Sequence, residues 1–192
     1  MNKLILMMGG QGSGKGTLSK KFLDENPDFK YVETGAMLRA LPDNHPLKQI
    51  MARGEFVPDD DLQALLAEQI KPTHNTVLDG FPRQLSQAKW LVDTFADKFD
   101  MIAVYLNIPR DLMEKRIKQR IAEGGGRADD ADATVVKKRL DSFFVKTLPA
   151  VKWLSINPDV VFIDVPIKDA PIEHNYNTMK NLLTTAMKTK IR

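Results

Sequence analysis

The chain contains no cysteine, which removes disulfides, thiol nucleophiles and thiolate-ligated zinc from consideration. Its three histidines, His45, His74 and His174, are too scattered to replace such a ligand set. Long apolar runs are also missing. No stretch approaches the roughly 18 consecutive apolar residues of a membrane helix. The N-terminal apolar segment ends in glycines and a lysine rather than a small-residue cleavage site, so neither membrane insertion nor secretion is expected and the default compartment is the cytoplasm. A large excess of one charge is lacking too. The net charge of +3 suits an anionic ligand but falls short of the basic stripe of a nucleic-acid groove. Small polyphosphates are therefore the expected partners, with no nucleic-acid polymer and no membrane.

What is present is enough for one folded domain spanning residues 1–192, with 43% hydrophobic and 28% charged residues and no repeat or low-complexity tract. Five short β-favouring runs recur at 4–8, 29–33, 76–79, 101–106 and 160–165. They read as continuous apolar strands separated by segments of helical periodicity at 15–25, 46–53, 60–70, 85–95, 110–123, 134–155 and 173–187. Such a pattern predicts an α/β fold whose central five-stranded parallel sheet is buried on both faces by flanking helices. Two stretches exceed what a simple crossover needs. Residues 34–74 carry two or three short helices, and the Gly- and Asp-rich stretch 124–132 interrupts two basic helices. Both contain arginines, and excursions of this kind from a sheet commonly form lids or binding segments.

The first strand runs directly into Gly9-Gly10-Gln11-Gly12-Ser13-Gly14-Lys15-Gly16-Thr17 and then into a helix. Glycines let the backbone curl its N–H groups inward, the helix N-terminus adds positive potential, and the lysine reaches the terminal phosphates. A nucleoside triphosphate is the natural occupant. Gly16 stands where the general motif often has a magnesium-binding Ser or Thr, and Thr17 follows one place later. Mg²⁺ is accordingly expected to keep most of its waters, with phosphates, Asp79 and Thr17 as outer partners. After the third strand comes Asp79-Gly80-Phe81-Pro82-Arg83, and ligands of open parallel sheets sit beyond the carboxyl ends of the strands. Asp79 and Arg83 should therefore share a crevice with the glycine-rich loop.

In this combination the sequence resembles the adenylate kinase family of nucleoside monophosphate kinases. The resemblance rests on GGQGSGKGT, ETGAMLR, MARGEFVP, DGFPRQLSQ, an arginine-bearing helix and GGGRADD, in that order, over about residues 2–165. It implies a P-loop three-layer fold with two insertions, a monophosphate-binding segment at 34–69 and a short lid at 121–132, and reversible transfer from MgATP to AMP giving two ADP. Gly12, Ser13, Gly14, Lys15, Gly16 and Thr17 would wrap the ATP phosphates, Arg116 would pack on the adenine, and Arg120 would hold phosphates. Arg39 and Arg83 would clamp the acceptor phosphate. Arg127 and Arg139 would close from the lid side, making Lys15, Arg83, Arg120, Arg127 and Arg139 the catalytic set. Thr34 and Gln87 match positions that read or shape the acceptor base, with Met51, Phe56 and Val57 as apolar walls and Gly80 nearby. Asp129 and Asp130 would organise the lid arginines.

Phosphoryl transfer asks for such a set, since the transition-state charge spreads over three equatorial oxygens and the protein chiefly positions and neutralises. The short lid resembles that of zinc-free members, so Mg²⁺ and no zinc is expected, in a monomer. Gln11, Ala36 and a shortened 39–51 stretch depart from the family pattern, and one residue more than the pattern has precedes Arg139. Rival readings are a UMP/CMP or other nucleoside monophosphate kinase, and a catalytically silent nucleotide-binding module.

Overall fold

Leu4, Ile5 and Leu6 are completely buried, as a strand must be when it lies at the centre of a sheet covered on both faces. In the computed structural model, which describes residues 1–52, 57–124 and 133–189, they belong to β1 (Asn2–Met8). This strand pairs in parallel with β3 (Asn75–Asp79) on one side and β4 (Phe99–Asn107) on the other. With β2 (Phe29–Glu33) beside β3 and β5 (Val160–Pro166) beside β4, the order is β2-β3-β1-β4-β5 and every pairing is parallel. The two outer strands mix buried and exposed positions, because each lacks a neighbour on one side.

Helices cover the sheet in two groups. α1 (Lys15–Glu25) packs on α9 (Ile172–Met187) as well as on the sheet, and the buried Tyr176 of α9 donates its hydroxyl to the Lys21 carbonyl at 3.3 Å. The 34–69 excursion comprises α2 (Thr34–Ala40), α3 (Pro46–Ala52) and α4 (Asp59–Gln69). α5 (Leu85–Phe95) follows β3, and its Ala88, Leu91, Val92 and Phe95 form the apolar stripe that faces the core. α6 (Arg110–Ala122) follows β4.

The remaining helical stretch differs from the single helix predicted over 134–155. α7 (Ala133–Ser142) passes into a π-helical turn, Phe143–Thr147, before α8 (Leu148–Ser155) resumes and packs on α5. Pro149 supplies the reason. It has no N–H to give the carbonyl four residues back, and its ring crowds that carbonyl. The helix widens so that the Leu148 N–H reaches the Phe143 carbonyl five residues away. Apolar periodicity runs unbroken through the turn, so pattern alone shows one helix.

Candidate active site

The loop after β1 leads directly into α1. This helix has no capping side chain and no acidic residue in its first turn, so its N-terminal N–H groups and positive dipole end remain available to an anion. Gly12 adopts φ +80°, and a Cβ there would lie 2.8 Å from the Met113 backbone oxygen; only glycine lets the loop pass this close to α6. The Ser13 hydroxyl is buried without a hydrogen-bond partner, an arrangement that calls for a ligand or water at that point. Lys15 turns its ammonium back on its own loop, donating to the Gly9 carbonyl at 2.7 Å and the Gly10 carbonyl at 3.4 Å. Gly16 and Thr17 are exposed at the start of the helix.

Strand register brings the second part of the site to the same edge. Met7 pairs with Asp79 and Asp79 with Glu33, so the ends of β1, β3 and β2 lie level. Asp79 is buried and accepts a hydrogen bond from the Tyr31 hydroxyl at 2.9 Å. Thr34 is buried beside it, its hydroxyl 3.4 Å from the Asp79 carbonyl oxygen. Gly80, at φ +87°, fits against Thr34 because a Cβ would fall 2.4 Å from that hydroxyl. The Arg83 backbone is held twice, its N–H donating to Gln87 Oε1 at 2.7 Å and its carbonyl accepting from the Thr147 hydroxyl at 2.8 Å. Its side chain, exposed at the surface, donates from Nε to the Gly80 carbonyl at 2.8 Å.

Gln87 itself is buried, and both ends of its amide are engaged. Its oxygen takes the Arg83 N–H, and its nitrogen donates to Asp59 Oδ1 at 2.8 Å. One donor and one lone pair of the amide remain for any other partner. Val57 is part of the buried core, Met51 packs against it, and Phe56 lies outside the described residues. Arg39, on α2, extends from the surface and meets Glu33.

On the opposite flank, Arg116 and Arg120 sit one turn apart on α6. Arg116 donates to the Lys168 carbonyl at 2.9 Å and comes within 3.5 Å of the Gly12 carbonyl, stitching α6 to the phosphate loop. Burial lowers its guanidinium from the ordinary arginine value, against the nearby Asp169 carboxylate, which raises it. Arg120 Nε and, on α7, Arg139 Nη1 are both shielded from solvent. Arg127, Asp129 and Asp130 lie outside the described residues.

The family model for adenylate kinase matches residues 7–157. The chain is 36% identical to adenylate kinase of Parvibaculum lavamentivorans over 161 residues, 78% of each chain. It is 33% identical to adenylate kinase of Thermus thermophilus over 160 residues, 80% of this chain and 83% of that one. With adenylate kinase isoenzyme 1 of Gallus gallus it shares 31% identity over 161 residues, 79% of this chain and 80% of that one. The chain belongs to the adenylate kinase family. It is a phosphotransferase on the P-loop α/β fold that the strand and loop pattern predicts. ATP:AMP phosphotransfer giving ADP is the activity that the family and the names of these relatives support. Among the described residues no helix is long and apolar enough to cross a membrane. Among them, too, no group of three or more His, Asp or Glu side chains is placed to hold a metal ion.

Two side chains of this adenylate kinase family site have no counterpart in the sequence reading, Tyr31 and Asp59. Asp59 opens α4 and accepts from Gln84, Ser86 and Gln87, each at 2.8 Å, which ties the base of the 34–69 segment to the start of α5. Its position at the head of an acidic run in a first helical turn is a signal for capping, not for this link. Partial burial pushes the Asp59 carboxyl up, but the hydrogen bonds from Gln87, Ser86 and Gln84 outweigh it and hold the group below the ordinary aspartate value. A carboxyl lowered by folding contributes stability that is fully present above its unfolded pKa of about 3.9 and is lost as pH falls through the folded value. Asp59→Asn is thus expected to cost about 1 kcal/mol at pH 7, a figure kept small by solvent access. The deficit should shrink as pH is lowered below the unfolded value, as measured by urea unfolding at pH 7 and at acid pH. An equal deficit at both would remove the carboxylate from the explanation.

Proposed function

We propose that the protein transfers the terminal phosphoryl group of MgATP to AMP, and reverses that reaction from two ADP. The observation that carries this reading is the connected set Asp79–Gly80–Arg83–Gln87 at the end of β3, level with the end of β1 and hence with the phosphate loop. A silent nucleotide-binding module has no use for a second, arginine-bearing anion site at the same sheet edge. The loop from Gly12 to Thr17 cradles the donor phosphates, with Lys15 leaving its own carbonyls to meet them. Arg116 packs on the donor base. Arg39 and Arg83 hold the acceptor phosphate. Arg120, Arg127 and Arg139 neutralise the oxygens of the group in flight, so no side-chain nucleophile is needed. The segments 34–69 and 121–132 act as acceptor segment and lid, closing to exclude the water that would otherwise take the phosphoryl group. The protein works as a monomer in the cytoplasm.

Mg²⁺ fits the residues present. The available donors are hard oxygens, the Asp79 carboxylate and the Ser13 and Thr17 hydroxyls, suited to a hydrated magnesium ion rather than to zinc. When bound, the ion neutralises phosphate charge. Asp79 would hold its hydration shell, and the Tyr31 hydroxyl, which donates to that carboxylate, would fix it for that task.

AMP rather than UMP or CMP follows from Thr34 and from the remaining donor and lone pair of Gln87, which together suit a purine edge. Gln87→Ala is expected to lower kcat/KM for AMP by about fivefold to a hundredfold, the range for leaving buried polar groups unpaired. Discrimination against UMP and CMP should narrow while the KM for ATP changes little. A coupled assay of ADP formation with AMP, UMP and CMP in turn, on both proteins, tests this. Equal use of CMP or UMP by the unmodified protein defeats the choice of acceptor but leaves the kinase reading standing. Weakening of ATP and AMP alike by the substitution defeats the role of Gln87.

A further inference from the structure

Two arginines are assigned to the acceptor phosphate, Arg83 and Arg39. Arg83 rests its Nε on a backbone carbonyl, that of Gly80 at 2.8 Å. Arg39 donates from Nη2 to the Glu33 carboxylate at 3.0 Å. α2 (TGAMLRA) contains no acidic residue, so Glu33, immediately before it, is the carboxylate its arginine meets. The chain between them is shaped to permit this contact. A Cβ on Gly35 would lie 2.9 Å from Arg39 Nη1 and 3.2 Å from the same Glu33 oxygen, so a side chain there would push into the pair.

We infer that Glu33 is an internal competitor for the acceptor phosphate, occupying Arg39 until a phosphate monoester displaces it. The inference rests on Arg39 binding that phosphate, as proposed above. A phosphate oxygen cannot accept from the N–H already given to Glu33. A carboxylate left in place would face a second anion across one guanidinium, and like charges at such separations repel. The Arg39 and Glu33 side chains are 55% and 29% exposed, so separating them exchanges one set of hydrogen bonds for hydration at small cost. Pairs of this kind are easily broken, which suits a contact that must open on every turnover. Glu33 is therefore a positioning residue that sets acceptor affinity, leaving the donor side untouched. Arg39 completes the clamp only when the ligand's charge outbids the carboxylate. A dianionic phosphate monoester does this better than a nucleoside or a singly charged phosphodiester.

The test compares Glu33→Gln, Arg39→Ala and the double variant by steady-state kinetics, varying AMP at saturating ATP and then ATP at saturating AMP. Glu33→Gln is expected to lower the KM for AMP by about two- to fivefold, the range that exposed ion pairs cover. kcat should move less, and the KM for ATP should stay within error. Arg39→Ala should raise the KM for AMP, and in its presence most of the Glu33→Gln gain should vanish. An unchanged or higher KM for AMP in Glu33→Gln, with Arg39→Ala still impaired, overturns the competitor role while the acceptor assignment of Arg39 survives. If Arg39→Ala leaves the KM for AMP unaltered, both fall together. Persistence of the full gain in the double variant shows that Glu33 acts by another route and also overturns the inference.

Discussion

Lys15→Met is expected to cut turnover by about a hundredfold or more, the usual loss when one preorganised electrostatic donor is removed. The melting temperature should hardly move. The lysine donates to carbonyls of its own loop, Gly9 and Gly10, in a half-exposed place where water can replace them. Methionine has a similar length and keeps helix propensity at the first residue of α1. The fold should therefore survive with its catalytic charge missing. Charge builds on the oxygens of the phosphoryl group as it leaves one nucleotide for the other, and an ammonium fixed beside them stabilises that state more than the ground state. The loss should fall on kcat, with a smaller change in the KM for ATP. Single-turnover rates and thermal melting of both proteins test this, and turnover within tenfold of the unmodified protein would remove Lys15 from the reacting group.

The parts of this molecule that one stretch of chain determines by itself were legible in its sequence. β1, the glycine-rich loop and α1 follow one another without a gap, and α1 begins at Lys15 and ends at Glu25 as periodicity predicts. β2 and α5 also match residue for residue. Less legible were features made by partners distant in sequence. The strand order depends on which strands pair, and five apolar runs of similar character do not say that β1 lies between β3 and β4. Gln87 stood out by its place in the motif, but the use of its amide by Arg83 and Asp59 did not, because the Asp59 contact spans 28 residues. Tyr31 carried no signal at all, since a tyrosine on an outer strand is ordinary and its bond to Asp79 crosses from one strand to the next. The π-helical turn needed Pro149 to be weighed against the apolar pattern, and the pattern was the stronger local signal.

Arg83→Ala is expected to lower kcat/KM for the acceptor by about a hundred- to a thousandfold, because Arg83 is a positioned cation whose position the fold has already secured. Its N–H is tied to Gln87 and its carbonyl to Thr147, and neither bond involves the side chain, so both persist in the alanine variant. The Nε bond to Gly80 is lost, and the carbonyl left behind can take water at this exposed edge. Stability should fall by no more than about 1 kcal/mol, while the acceptor loses a guanidinium held at a fixed angle beside the end of β3. Arg83→Lys should recover only a small part of the loss. An ammonium is a point charge that cannot present two parallel N–H groups to a phosphate, and its Nζ cannot hold the Gly80 carbonyl and reach the ligand in the geometry of the planar fork. The ATP side should be nearly unaffected in both variants, which separates this result from that of Lys15→Met, where the donor-side chemistry fails. Initial rates with AMP varied at saturating ATP, and the reverse, read the two sides independently. An alanine variant retaining acceptor kcat/KM within fivefold would mean that Arg83 does not touch the acceptor phosphate, and equal damage to both substrates would place its role in the architecture of the β3 edge.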